Sequence, residues 1–377
     1  MNNIISYIGW RGDLTLGQSP FCEVDNLILS ELCYLDLTGI VPPPGEGDIA
    51  LSHAADAYFA AHPVPDPPPD NAAHSNVNNE WLLYLAGQSR RFGGMRLSGW
   101  VDVLDHEAAK QFGALCIQIN GSQLYVAYRG TSDDLAGWKE DFLLACLPET
   151  PSQGEALRYL EHVAALHPDM RLIPGGHSKG GNLAVYAAAL ASLELQSRIT
   201  AVWSNDGPGF HEDFIASDGY RRISKKLHAI VPKSSVVGML LAHGENSRIV
   251  DSSQLGLLQH DGFSWEVFGD HFVALPALTA ESLHADLKIR AWVDDMPLDK
   301  RRQFVDALFD VLYASGATTL SAVQDDWLKA LRDALPFLRA QPKETRDQII
   351  QFLVLLRTIS RRLTIESRME KSRSRGA

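Results

Sequence analysis

The chain has 377 residues, of which 45% are hydrophobic, and its formal net charge is −12, from 34 basic and 46 acidic residues. This length and apolar content allow one large α/β domain with helical additions. The acidic balance excludes a general nucleic-acid binder, because proteins of that class present a basic surface to phosphate groups.

The N-terminal part of the chain is predicted to form helices separated by proline-rich loops. Apolar residues from 23 to 36 recur with helical spacing and predict an amphipathic helix. Prolines at 42–44, and again between Pro63 and Pro69, interrupt this pattern. The second interruption is either the edge of a mobile flap or a plain surface loop. The apolar run at 81–86 predicts another helix.

The middle of the chain alternates between strand and helix patterns. Apolar strands at 115–119 and 124–128 flank Asn120-Gly121, a dipeptide that favours a two-residue hairpin turn because both residues tolerate positive φ. Helices follow at 135–145 and 155–166, and further buried strands are predicted at 170–174, 199–203 and 227–231. This alternation predicts an α/β fold with a doubly wound, mainly parallel sheet, covered on both faces.

Gly-His-Ser-Lys-Gly at 176–180 matches the G-x-S-x-G turn that exposes a nucleophilic serine between a strand and a helix. The flanks agree, since an apolar strand precedes the turn and a small-residue helix follows it at 181–190. Gly176 and Gly180 lack a Cβ, which lets the strand and the helix pass closely around a strained Ser178. The competing interpretation is a glycine-rich turn with an inert serine.

After residue 275 the chain is predicted to be helical, with three apolar stripes punctuated by proline and glycine. We therefore divide it into a domain at 1–275, which includes an N-terminal helical segment, and a C-terminal helical extension at 276–377. Basic residues outnumber acidic ones from 357 to 377. This tail is a candidate for peripheral contact with anionic lipid, and a solvated, frayed terminus is the alternative. No oligomeric state follows from the sequence.

Two segments resemble class 3 lipases. Tyr-Arg-Gly-Thr at 128–131, with Trp138 and Asp141 downstream, resembles the oxyanion strand and helix of those enzymes, and 176–181 resembles their elbow with lysine in place of the usual leucine. The chain is still more similar to a family of bacterial lipase-like hydrolases, through segments 21–29, 178–184, 206–210 and 259–261. The resemblance covers residues 1–275 and implies an α/β-hydrolase-like fold and a hydrolase reaction.

A nucleophilic serine needs a base, and in this fold the order along the chain is serine, acid, histidine. His260 is the first candidate for the base, because class 3 lipases carry theirs on a late loop with a tryptophan, here Trp265, several residues on. His271 is the second candidate. His228 lies within a strand and is predicted to be a core histidine, and His177 is predicted to be structural.

The acid is harder to assign. Class 3 lipases place an aspartate after the strand that is here 227–231, and this sequence has no carboxylate there. Asp206, at the end of the strand at 199–203 and its extension, is the first candidate because a carboxylate on that neighbouring strand could reach the same imidazole. Its competing role is a turn residue in Asp-Gly-Pro-Gly. Asp251 is the runner-up, and Asp261 ranks below both.

The oxyanion hole needs two N–H donors, which we assign to Lys179, directly after the nucleophile, and, by resemblance to the lipases, to Thr131. The side chain of Lys179 is expected to face solvent or form an ion pair. The sequence contains no metal-binding pattern, phosphate loop or dinucleotide fingerprint, so neither a metal nor a cofactor is expected.

These features favour a serine hydrolase, an esterase or lipase acting on a small-molecule or lipid ester, with lipid or phospholipid acyl esters foremost. The alternative is a catalytically weak hydrolase-fold protein that binds or regulates, which the missing acid after 227–231 motivates. The four cysteines match no metal or redox pattern, and the N-terminus has no signal-peptide pattern, so we expect free thiols and a cytoplasmic protein.

Overall fold

The computed structural model describes residues 2–67, 76–235, 237–239, 241–242, 247–254, 256–294, 296–314, 316–319, 322, 327–354 and 358. Over these residues the chain has a mixed α/β fold with a large central sheet and many helices. The predicted lipid-binding tail at 357–377 lies outside the described residues, except for residue 358. The end of the predicted flap, at 68–69, lies outside them as well.

The strands range from two to 11 residues, and β3 to β7 overlap the apolar runs predicted from the sequence. They are β1 (Ile49–Ala50), β2 (Arg96–Asp105), β3 (Lys110–Asn120), β4 (Gln123–Tyr128), β5 (Arg171–His177), β6 (Val202–Asn205), β7 (Leu227–Pro232), β8 (Arg248–Val250), β9 (Val267–Phe268), β10 (His271–Phe272) and β11 (Ala274–Leu275). Nine of them form one sheet in the order β1-β2-β3-β4-β5-β6-β7-β8-β11. Its central strands, β4 to β8, are parallel, as the alternation of strands and helices predicts.

The described helices include those predicted at 23–36, 135–145, 155–166 and 181–190, within a few residues, and several that the sequence pattern did not predict. They are α1 (Ile4–Arg11), α2 (Glu23–Leu32), α3 (Leu51–Ala61), α4 (Asn76–Gln88), α5 (Leu135–Leu143), α6 (Pro151–Leu166), α7 (Lys179–Leu190), α8 (Leu193–Arg198), α9 (Glu212–Ile215), α10 (Asp218–Ile223), α11 (Ala280–Asp294), α12 (Leu298–Tyr313) and α13 (Trp327–Ala340). A further helical stretch occupies 343–354.

Apolar side chains cover the sheet on both faces. Along β4, Tyr125 and Ala127 contribute to one core, and Leu124 and Val126 to the other, because successive side chains of a strand point to opposite faces. Residues of α1 to α4 complete the first core, and residues of α6, α7 and α10 complete the second. Buried parallel strands covered on both faces agree with the predicted mainly parallel sheet. The predicted double winding is not observed over the described residues, because β4 to β8 follow one another in chain order and the helices that connect them, α6, α7 and α10, contribute to the same core.

The chain divides into two compact units. Unit 1 comprises 1–103, 112–130 and 152–279, and it contains most of the sheet with both of these cores. Unit 2 comprises 104–111, 131–151 and 280–377. The division predicted at residue 275 stays a prediction about domains, and unit 2 takes in two segments that precede that residue.

Unit 2 has a helical core of its own. Apolar residues of α5 and α12 and of the stretch at 343–354 form it, among them Leu135, Phe304, Leu308 and Phe352. The stripe predicted at 304–312 therefore faces a protein core. Among the described helices of the chain, none has the length and apolarity needed to cross a membrane.

The predicted hairpin is present, but its turn differs from the expectation. Asn120 pairs with Gln123, so the loop residues are Gly121 and Ser122 rather than Asn120-Gly121. Neither Asn120 nor Gly121 has a positive φ. The Asn120 side chain instead accepts a hydrogen bond from the backbone N–H of Ser122 at 2.9 Å, which stabilises the turn without a left-handed residue.

Candidate active site

The predicted elbow is present at the carboxyl end of β5. Ser178 lies between β5 and α7 with φ 58° and ψ −134°, a conformation that costs an L-residue free energy. A Cβ on Gly180 would lie 2.0 Å from the carbonyl oxygen of Tyr128, so only glycine allows α7 to start this close to β4. The turn therefore presents the serine hydroxyl at the edge of the sheet where the parallel strands end.

Ser178, His260 and Asp206 form a continuous hydrogen-bonded chain. The Nε2 atom of His260 lies 2.9 Å from Oγ of Ser178, and its Nδ1 atom lies 2.6 Å from Oδ2 of Asp206. The Asp206 carboxylate is fully buried, whereas the imidazole is about one quarter exposed, at 27%. All three residues belong to unit 1. The structure thus brings the first candidates for nucleophile, base and acid together.

Parallel pairing explains why two residues from different strands meet. His177, the last residue of β5, pairs with Asn205, the last residue of β6. Ser178 directly follows β5 and Asp206 directly follows β6, so both residues lie at the same edge of the sheet. The Ser178 N–H donates to the carbonyl of Asn205 at 2.9 Å, which fixes the nucleophile against the strand that carries the acid.

Asp206 is oriented by contacts on both sides of its carboxylate. While Oδ2 faces His260, Oδ1 accepts a hydrogen bond from the Ser235 hydroxyl at 2.5 Å. The backbone of Asp206 has φ 50°, and its N–H donates to the carbonyl of Ile230 at 2.7 Å. These contacts leave the carboxylate oxygens directed at one imidazole and one hydroxyl.

The turn after Asp206 is tied to the elbow helix. Asn182, on α7, donates from its side-chain amide to the carbonyls of Pro208 and Gly209, at 3.0 Å each. The side-chain oxygen of Asn182 accepts a hydrogen bond from the side-chain amide of Gln153 at 2.8 Å. The helix that begins beside the nucleophile therefore also holds the loop that follows the acid.

His260 is the last residue of a short 3-10 helix, Gly256–His260. Hydrogen bonds from two side chains hold the end of this helix in place. The indole N–H of the fully buried Trp265 donates to the carbonyl of Gln259 at 2.9 Å. The Nε2 atom of His177 lies 2.8 Å from the carbonyl oxygen of His260 itself. The tryptophan noted in the sequence thus supports the loop of the base.

The two predicted oxyanion residues follow different strands. Lys179 is the first residue of α7, at the positive end of the helix dipole. Its side chain is buried, with 1% exposure, so of the two expected alternatives the solvent-facing one is wrong. Thr131 directly follows Gly130 after β4 and belongs to unit 2, and its buried hydroxyl has no hydrogen-bond partner among the described residues.

The other acid candidates are engaged elsewhere. Asp251 forms an ion pair with Lys233 at 2.8 Å. Asp261 caps the 3-10 helix Gly262–Ser264, with its carboxylate accepting from the Phe263 N–H at 3.0 Å.

Two histidines differ from what the sequence suggested about them. His271 is exposed and contacts Asp270 at 3.2 Å, rather than taking part in the serine chain. His228 is not a core residue as predicted, because its side chain is exposed and stacks on Trp203 with ring centroids 4.2 Å apart. Partial burial in this stack lowers the pKa of His228.

Sequence reasoning missed several polar residues that position the site. Ser235 lies after β7, where class 3 lipases carry their aspartate, and its hydroxyl donates a hydrogen bond to the Asp206 carboxylate. Asn205, fully buried, donates to the Gly176 carbonyl at 3.1 Å and accepts from Asn26 on α2 at 2.8 Å. The only sequence signal for these residues was their place at strand ends or in the segments that carry the family resemblance.

Comparison with known proteins gives one family match and several structural likenesses. Among curated proteins, none matches the chain. A Rhizomucor miehei lipase–propeptide complex is 15% identical with a TM-score of 0.30, and the match covers 42% of this chain and 57% of that one. The M37 lipase is 15% identical with a TM-score of 0.34, and the match covers 45% of this chain and 64% of that one.

A triacylglycerol lipase described as having a serine protease triad is 14% identical with a TM-score of 0.30, covering 41% of this chain and 65% of that one. In each case the match spans less than two thirds of the lipase chain. The model of the Mbeg1-like family matches residues 86–310, well over half of the chain and a span that includes Ser178, Asp206 and His260. The chain therefore belongs to the Mbeg1-like family.

Proposed function

We propose that this protein is a serine hydrolase of the α/β-hydrolase type that cleaves carboxylic esters through an acyl-enzyme. The observation that carries the proposal is the unbroken chain from the Ser178 hydroxyl through His260 to Asp206, with contacts of 2.9 and 2.6 Å. A serine hydroxyl becomes nucleophilic when an imidazole accepts its proton, and a carboxylate at Nδ1 holds that imidazole in the required tautomer.

The reaction follows from these positions. Oγ of Ser178 attacks the ester carbonyl as Nε2 of His260 accepts its proton, and Asp206 stabilises the imidazolium that forms. The backbone N–H of Lys179 donates to the oxyanion of the tetrahedral intermediate. His260 then returns the proton to the departing alcohol. Water, deprotonated by the same imidazole, releases the acid and restores the serine.

We further propose lipid or phospholipid acyl esters as the substrate class. The resemblance of Tyr128–Thr131 to the oxyanion strand of class 3 lipases supports this choice. An apolar side chain is also exposed beside the base, since Leu258, in the 3-10 helix that ends at His260, is 55% exposed. An acyl chain that packs on such a side chain buries apolar surface on both partners.

The alternative of a catalytically weak binding protein rested on the missing carboxylate after β7. That argument for the alternative no longer applies, because a buried carboxylate, that of Asp206 at the end of the neighbouring strand, contacts the imidazole of His260. No observation on the described residues favours the alternative, so the hydrolase is the function we propose.

Labelling with a fluorophosphonate probe tests the proposal, since such probes react with activated serines. We expect the wild type and a Ser122→Ala control to be labelled, and Ser178→Ala to be unlabelled because it lacks the attacking oxygen. Equal labelling of wild type and Ser178→Ala would refute the assignment. A panel of p-nitrophenyl esters of increasing chain length, extended to phospholipids, then tests the substrate class.

A further inference from the structure

His177, the residue before the nucleophile, lies between three groups that the proposed mechanism does not use. Its Nε2 atom is 2.8 Å from the backbone carbonyl oxygen of His260. Its Nδ1 atom is 3.1 Å from the Tyr34 hydroxyl and 3.5 Å from Oε1 of Glu31. The Glu31 and His177 side chains are almost completely buried, with 0% and 4% exposure. A buried imidazole with polar contacts on both nitrogens has its ring orientation fixed.

The direction of the hydrogen bond to His260 follows from the chemistry of its acceptor. A carbonyl oxygen has no proton to donate, so Nε2 of His177 must carry the hydrogen. In a neutral ring Nδ1 then accepts from the Tyr34 hydroxyl, and in a charged ring Nδ1–H is directed toward Glu31 and Tyr34. In both states Nε2 donates to the carbonyl of His260.

This contact acts on the residue that carries the base. His260 is the last residue of its 3-10 helix, and its side chain must keep Nε2 within reach of Ser178 and Nδ1 within reach of Asp206. The two imidazole rings are adjacent, with centroids 4.7 Å apart. A displacement of about 1 Å at a reacting group can lower a rate by about 10²-fold. The peptide that carries His260 therefore needs a fixed position.

We propose that His177 is a positioning residue that holds the His260 peptide by its Nε2–H, while Tyr34 and Glu31 orient the His177 ring. This inference rests on the proposed function, because it assigns His177 a role in aligning the base of that reaction. Glu31 is on α2 and Tyr34 follows it, so both orienting groups come from the N-terminal part of the chain.

Two substitutions separate this role from simple packing. In His177→Gln the side-chain amide nitrogen occupies the topological position of Nε2 and can still donate to the His260 carbonyl. In His177→Asn the amide corresponds to Nδ1, so the contact with Tyr34 can persist while the donor to His260 is lost. Both variants remove the ring, so a merely structural role predicts similar losses from both.

The rate constant for fluorophosphonate labelling and the low-field proton signal of the hydrogen bond between His260 and Asp206 provide the readouts. We expect His177→Asn to lose labelling rate by about 10- to 100-fold and to lose or shift the proton signal. We expect His177→Gln to stay within about threefold of wild type, since its donor is kept. Equal losses in the two variants, or no loss in either, would overturn the inference.

A failure of the proposed function looks different from a failure of this inference. If the wild type does not react with the probe, the hydrolase proposal fails, and the proton signal alone then decides whether His177 positions His260. If both His177 variants fail to fold, Tyr34→Phe replaces them, because it removes only one hydroxyl. We expect it to lower the labelling rate severalfold, and an unchanged rate with an unchanged signal would contradict the inference.

Discussion

Two residues of the candidate site, Ser178 and Asp206, hold left-handed backbone conformations without being glycine, with φ of 58° and 50°. Such a conformation costs about 1–3 kcal/mol per residue and persists only where surrounding contacts fix it. Here the N–H groups of both residues donate to strand carbonyls, those of Asn205 and Ile230. The strain directs a hydroxyl and a carboxylate at one imidazole before any substrate binds.

At this scale, the acid assignment can be tested by replacing one oxygen. We expect Asp206→Asn to lower kcat of ester hydrolysis by about 10⁴-fold with little change in KM, because an amide at Nδ1 favours the wrong tautomer of His260. Steady-state kinetics on a soluble p-nitrophenyl ester measures the effect.

Asp251→Asn is the matched control for this experiment. Asp251 pairs with Lys233 at 2.8 Å, and both side chains are partly exposed, so its loss should leave kcat within about twofold. A larger loss in Asp251→Asn than in Asp206→Asn would assign the acid role to the runner-up.

The residue scale also sets the limit of what the sequence could predict. Ser178 and His260 follow local patterns, a glycine-rich turn and a late loop with a tryptophan. Asp206 could be proposed because a strand next to that of the serine ends there and because segment 206–210 carries part of the family resemblance. The stack of His228 on Trp203 and the contacts of His177 with Tyr34 and Glu31 join residues from separate elements, so spacing along the chain carries no signal for them.

At the scale of the elements, α2 makes several buried polar contacts. Its Asn26 and Ser30 bond to Asn205, next to the acid, and its Asp25 pairs with Arg91 after α4. The helix itself was predictable from apolar spacing, whereas its polar partners were not, because an amphipathic pattern does not specify what its buried polar groups will bond.

The ion pair of Asp25 with Arg91 predicts a large stability effect. Both side chains have 0% exposure, so removing one partner leaves an uncompensated charge in the interior. We expect Arg91→Met to lower the free energy of unfolding by about 3–5 kcal/mol, measured by urea denaturation.

A surface ion pair supplies the comparison. Arg96 and Asp48 are 44% and 42% exposed, and Arg96→Met should cost only about 0–1 kcal/mol, because solvent screens exposed charges. Similar losses from the two methionine variants would contradict the view that burial makes the Asp25 pair important.

For the whole molecule, the described fold agrees with the predicted α/β class. The chain divides into two compact units, each built from segments that are separate in the sequence. The sheet could be predicted because each buried strand is a continuous apolar run. The assignment of segments 104–111 and 131–151 to unit 2 was not predictable, because it depends on contacts between parts of the chain that are far apart in sequence.

Buried thiols make the stability of the molecule depend on pH in the alkaline range. Burial raises the pKa of Cys33 and of Cys116 to about 12 each. In the unfolded chain a thiol loses its proton near its ordinary pKa of about 8.5. Between these values the folded state holds protons that the unfolded state has released, so the free energy of unfolding falls as the pH rises.

We expect urea midpoints to decrease from about pH 8 to about pH 10, and the decrease to be shallower in a Cys33→Ala/Cys116→Ala variant. That variant is compared with wild type at each pH, which separates its loss of packing from the change in slope. Parallel slopes in the two proteins would show that these thiols do not cause the dependence.

The network around α2 has a consequence for inheritance. The family model begins at residue 86, yet Asn26, Glu31 and Tyr34 contact residues adjacent to the serine and the aspartate. Selection on the reaction would therefore also constrain an N-terminal stretch that lies outside the matched residues 86–310. Relatives that differ before residue 86 should carry compensating changes at the positions of His177 and Asn205.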